Sequence, residues 1–136
     1  MRPAHALATR AVTAAALAGC GAQTQSSAED VQGAEREVAQ LVDDLQEAGT
    51  QGDAEEICGR ILATELLNSI REGDSDCVEE MDKALADAND FELQVLDVSI
   101  SGTTARAQVR QGDDGRTGTL AFERDGDSWR VTSFGS

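Results

Sequence analysis

After Asp90 the hydrophobic spacing of this chain changes from near four residues to two, and it does not change back. A helix repeats its face about every 3.6 residues and a strand every second residue, so one segment cannot satisfy both patterns. The switch divides the chain into helices first and strands after, the order of an α+β domain with helices packed on a sheet. In residues 29–48, Val31, Ala34, Val38, Leu41 and Leu45 fall on one stripe with Val42 beside it, while Asp43, Asp44 and Glu47 lie off it. Gly49 and Gly52 are expected to stop that helix. Asp53 with Glu56, and Asp76 with Glu79, repeat a spacing in which an acid caps the free N–H groups of a new helix. The first such helix is expected to bury Ile57, Cys58, Ile61 and Leu62. A shorter one carries Leu66, Leu67 and Ile70 and ends at Gly73. The second capped helix is expected to bury Cys77, Val78, Met81, Leu85 and Ala88.

Beyond the switch, Phe91, Leu93 and Val95 alternate with polar residues, and Leu96, Val98 and Ile100 continue on the opposite parity. A one-residue slip of phase inside a strand predicts a β-bulge near Val95-Leu96. Ser101-Gly102 marks a tight turn. Ala105, Ala107 and Val109 alternate with Arg106, Gln108 and Arg110. Residues 112–115 turn the chain again, Leu120 and Phe122 give the next buried face, and Asp125-Gly126 opens a last hairpin onto Trp129, Val131 and Phe134. Hairpin signals at every connection predict a four-stranded antiparallel meander.

The amino-terminal end has a different character. Arg2 and Arg10 flank a small apolar run, residues 11–18, that is far shorter than the roughly 20 residues a membrane-spanning helix needs. It has the build of an export signal. Leu17, Ala18, Gly19 and Cys20 resemble the lipobox of bacterial lipoproteins. That resemblance implies a diacylglyceryl thioether on Cys20, cleavage before it and a lipid-anchored protein on the extracytoplasmic face of the cell membrane. An ordinary secretory signal with an incidental Cys20 is the alternative. The expected organisation is a signal peptide at 1–19, a flexible tether at 20–28, where the sequence is small, polar and aperiodic, and one domain at 29–136.

Without its leader the chain would carry 9 basic against 26 acidic residues, formally −17. Such a protein repels nucleic acid and anionic headgroups. The acids are scattered, as in a solvated coat that maintains solubility. In an exported protein Cys58 and Cys77 make an even pair, which is how disulfides arise; two buried thiols or a metal pair are the alternatives. A zinc site would need further soft or imidazole ligands, and the only histidine, His5, lies in the leader. No metal ligand set and no cofactor motif is expected.

Helices, then a bulged strand, then hairpin-linked strands ending in a tryptophan strand resemble the nuclear transport factor 2-like fold, an α+β cone shared with SnoaL-like and ketosteroid-isomerase-like proteins. More narrowly, Cys58, Leu62, Leu66, Ile70 and Cys77, followed by Phe91, Trp129 and Val131, resemble small actinobacterial lipoproteins with a cysteine pair across the second and third helices. Enzymes of that fold use a tyrosine or a histidine with an aspartate in the cone. The chain beyond residue 20 has neither tyrosine nor histidine, so the resemblance implies a non-catalytic binding or accessory domain. The partners in view are the membrane through its lipid, an envelope protein or a second copy, and a small apolar ligand in the cone. A small carboxylate-dependent hydrolase, lyase or isomerase is the competing expectation. Asp74 with Asp76, and Asp113 with Asp114, lack the ligand spacing of a calcium loop. Lys83 sits among helix acids and is expected to contact them. Arg106 and Arg110 share an outer strand face, where pairing with Glu123 is expected. Ala105 and Ala107 are the hint of space on the inner face.

Overall fold

The computed structural model describes residues 22–88 and 91–135. Helix α1 spans Ala22–Gln51. A short α2, Ala54–Glu56, passes into a π turn, Ile57–Ile61, and α3, Thr64–Glu72, and α4, Cys77–Asp87, complete the helical half. Strands β1 (Leu93–Ser101), β2 (Thr104–Gln111), β3 (Arg116–Asp125) and β4 (Ser128–Gly135) form one open antiparallel sheet in the order β1-β2-β3-β4. The chain is thus α+β with a meander sheet.

One face of the sheet supplies Ala105, Ala107, Val109, Leu120, Phe122, Trp129 and Val131 to the core, and α1 supplies Val38, Val42, Leu45 and Ala48. Val42 belongs to the centre of the helix stripe and Leu41 to its half-buried flank, the reverse of the order read from spacing. Ile57, Cys58, Ile61 and Leu62 close the core from the side. The π turn brings them inward: Leu62 N–H donates to Ile57 O at 3.0 Å, and Ala63 N–H donates to Val131 O at 2.8 Å. The segment after the turn thereby covers the edge of β4, which an open sheet must protect.

Both acid caps form. Asp53 accepts from Glu56 N–H at 3.0 Å and Asp76 from Val78 N–H at 3.3 Å. The β-bulge is present as well. Val95 pairs with Val109 and Asp97 with Gln108, which leaves Leu96 as the extra residue, 40% exposed. Val98 and Ile100 then rejoin the inner face with Leu93 and Val95. The hairpins turn through Gly102 and Gly126, both at positive φ.

Three expectations are corrected. Helix α1 starts at Ala22, so residues 22–28, read as a flexible tether, are helical; alanine, glutamine and serine contain no helix breaker, and neither glycine nor proline intervenes before Gly33. Gly49 does not stop α1, which runs to Gln51. A Cβ at Gly49 would lie 2.2 Å from two Phe91 ring atoms and 2.7 Å from the ring carbon nearest the backbone. Glycine leaves room there for the Phe91 ring to approach the helix closely; Gly52, at φ +71, makes the turn. Ala88 is exposed just past the end of α4, not buried in it. Gly49→Ala is expected to lower stability by about 1 kcal/mol in urea titration, because displacing Phe91 outweighs the gain in helix propensity. A stabilised variant would show that the ring yields freely.

Candidate functional site

The interior is apolar throughout: among the described residues no polar or charged side chain is buried. Chemistry is confined to the margins, where several hollows open beside α1.

The first is a polar cleft of about 440 Å³ between α1 and the β3–β4 hairpin. Trp129 forms its floor. The indole N–H donates to Glu37 Oε2 at 3.2 Å, and the Arg124 guanidinium lies 5.7 Å from the ring centroid, within cation–π range. Arg130 wraps the sheet edge and donates to the carbonyls of Gly59 and Arg60, while Arg60 pairs with Glu56 at 2.8 Å. The polar groups named here are thus engaged with one another and fasten the hairpin to the helices.

The second hollow is a groove of about 410 Å³ where α4 meets the far end of the sheet. Leu45 forms its base. Met81, Ala84 and Ala88 line one wall, and Leu93, Leu120 and Phe134 the other, with Phe91 between them; Glu92 and Gln111 are the polar members. Ala84 on α4 and Ala88 just past its end are small and leave space that larger residues would fill. Phe134, opposite Leu120 in the β3–β4 register, extends the inner sheet face beyond the helices' cover and is 51% exposed. Glu92 is the single acid in the lining, so the groove does not itself juxtapose two carboxylates as acid and base.

The residues singled out in the sequence distribute as follows. Cys58 and Cys77 are joined by a disulfide, with Cα atoms 6.1 Å apart, linking the π turn to the first residue of α4. Leu17, Ala18, Gly19 and Cys20 lie outside the described residues. Lys83 bonds Glu79 at 3.1 Å and Glu80 at 3.3 Å. Hydrogen bonds from Ser75, and then from Lys83, hold the Glu80 carboxyl below its ordinary value, and the bonds to Glu79 and then Glu80 raise Lys83. This is a solvent-screened surface group; it shares α4 with Met81 and Ala84 of the groove but is not part of the groove's lining. Arg106 stands opposite Ala121, and Glu123 opposite Thr104, so the expected cross-strand pair is not the register adopted; Arg110 donates instead to Gln94 on β1 at 3.5 Å. Ala105 and Ala107 are 3% and 0% exposed. They admit close packing by the helices and leave no space, so the groove's small residues are Ala84 and Ala88. The signal in the sequence was the pair of alanines following Met81 at helical spacing. The pairing of Glu37 with Trp129, 92 residues apart, had none.

Among the described residues no cluster of three or more His, Cys, Asp or Glu side chains is placed to hold a metal ion, and no helix is long and apolar enough to cross a membrane. Comparison with known protein families, with curated proteins and with solved structures returns no match.

Proposed function

We propose that this chain is an exported lipoprotein, anchored through Cys20 at the extracytoplasmic face of the cell membrane, whose nuclear transport factor 2-like domain binds an apolar ligand without catalysis. The observation that carries the binding reading is the groove between α4 and the end of the sheet. A volume of about 410 Å³ is that of a small-molecule site, and its lining is apolar with a few polar groups at hand. The order of helices before a bulged meander sheet supports the cone-like assignment. The Leu17-Ala18-Gly19-Cys20 run supports the anchor. Two acyl chains or more give stable membrane residence where one gives only marginal binding.

Ala22 and Leu45 are separated by most of α1, about 35 Å at roughly 1.5 Å per residue. Along α1 the groove therefore lies on the order of 35 Å from the end that the anchor would hold.

Cys20→Ala is the test of anchoring. The variant is expected in the medium, or retained with its leader uncut, and membrane fractionation with intact-mass measurement distinguishes these from the lipidated form. Unchanged retention of a processed, unlipidated variant would sink the anchor.

A further inference from the structure

The apolar groove does not close at Ala88 and Phe91. Both residues also line a neighbouring polar cleft of about 440 Å³, formed on its other side by Gly49, Thr50, Gln51 and Gly52 and by Asp82 of α4. The two hollows share a wall and differ in chemistry. One is lined by alkyl and aromatic groups. The other lies against the C-terminal end of α1, where aligned peptide dipoles concentrate partial negative charge and cations are favoured. The last turn of α1 contains no basic side chain to neutralise that end. Asp82 in the cleft and Glu92 in the groove add carboxylates, and neither lining includes a lysine or arginine.

We propose that groove and cleft form one site for a cationic amphiphile. Its apolar body lies against Met81, Ala84, Leu93 and Phe134, and its ammonium or other positive end sits beside Asp82 at the end of α1. This rests on the groove being a binding site and adds the charge of the ligand. A fatty acid of the same length would fill the groove equally well but would bring its carboxylate to a negative helix terminus and a carboxylate side chain. At physiological salt, charges beyond about 8 Å are screened, so the discrimination comes from these near groups and not from the protein's overall acidity.

The test uses the full chain carrying Cys20→Ala, so that no attached lipid competes, and three probes below their micelle-forming concentrations: dodecyltrimethylammonium, dodecyl maltoside and dodecanoate. Titration calorimetry is expected to give one site, with the ammonium probe bound about tenfold tighter than dodecanoate and the maltoside between them. The amide signals of Ala84 and Ala88 are expected to shift on titration. Ala84→Trp fills the groove from an exposed position without changing charge, and should weaken all three probes at least tenfold while leaving the circular dichroism unchanged. Asp82→Asn should weaken the ammonium probe alone. Dodecanoate binding as tightly as the ammonium would overturn the charge assignment and leave the groove standing. Failure of all three probes, or binding unaffected by Ala84→Trp, would overturn the groove itself.

Discussion

Phe122→Ala is expected to destabilise the domain by about 3–5 kcal/mol, the largest effect of any single truncation of the sheet. Phe122 is 1% exposed and has the greatest volume among the fully buried side chains. It stands opposite Ala105 on β2 and next to Val131 on β4, where β3 is hydrogen-bonded on both sides. Ala105 is too small to move into the space a lost ring would leave, and the paired strands cannot approach each other to close it. The cavity term therefore adds in full to the lost transfer free energy. Domains of this size are stable by about 5–15 kcal/mol, so the variant should be marginal, with a urea midpoint far below that of the parent. Leu96→Ala is the matched control: the bulge leaves that side chain 40% exposed, and its loss should cost no more than about 0.5 kcal/mol. Equal effects at the two positions would mean that the sheet buries its other face.

The alternation that makes Phe122 a core residue was legible because the strand period is two and one face is buried: Ala105, Ala107, Val109, Leu120, Phe122, Trp129 and Val131 all point inward as the pattern implies. The bulge at Leu96 was legible for the same reason, since a slip of parity has no other cheap explanation in a strand. Helix ends fared differently. Asp53 and Asp76 cap as their spacing implies, because capping is a contact within one turn. Gly49 misled, because its reason is tertiary: glycine can end a helix or admit a neighbour, and only the position of Phe91 decides. The start of α1 misled in the opposite sense, since a polar stretch without breakers can continue a helix that hydrophobic spacing does not require.

The candidate site was the least legible part. A groove is space left between elements, and it depends on how α4 is set against the end of the sheet. Ala105 and Ala107 were conspicuous as small residues in a strand, yet the helices pack down onto them. Ala84 carried no signal of its own, and Ala88 was expected on the buried face of the helix, whereas it is exposed just past the helix end. What distinguishes the two pairs is that α1 covers the middle of the sheet and nothing among the described residues packs over Phe134 at its end, a property of helix placement and not of composition.

Loss of the Cys58–Cys77 bond is expected to act on exactly that placement. The bond closes a loop with a sequence separation of 19, and the chain-entropy model gives about 3 kcal/mol for such a loop, or a melting temperature lower by roughly 10–15 °C in a domain of this size. The effect should be uneven. Helix α3 has no fully buried residue, and Cys77 is the only one in α4; Leu66, Leu67, Ile70, Val78, Met81 and Leu85 are half-buried. These two helices therefore hold to the body by partial contacts and one covalent staple, whereas β2 and β3 are paired on both sides. Cys58→Ala/Cys77→Ala, or reduction of the intact protein, should abolish amide-exchange protection in α3 and α4 at denaturant concentrations where β2 and β3 keep theirs, as expected for a separately opening unit. Met81 and Ala84 form a wall of the groove, so apolar probe binding should fall with α4 protection and before the sheet unfolds. Uniform loss of protection across helices and strands would show that α3 and α4 are bound to the sheet by packing alone. A melting temperature lowered by less than about 3 °C would show that the staple constrains nothing the packing does not already hold.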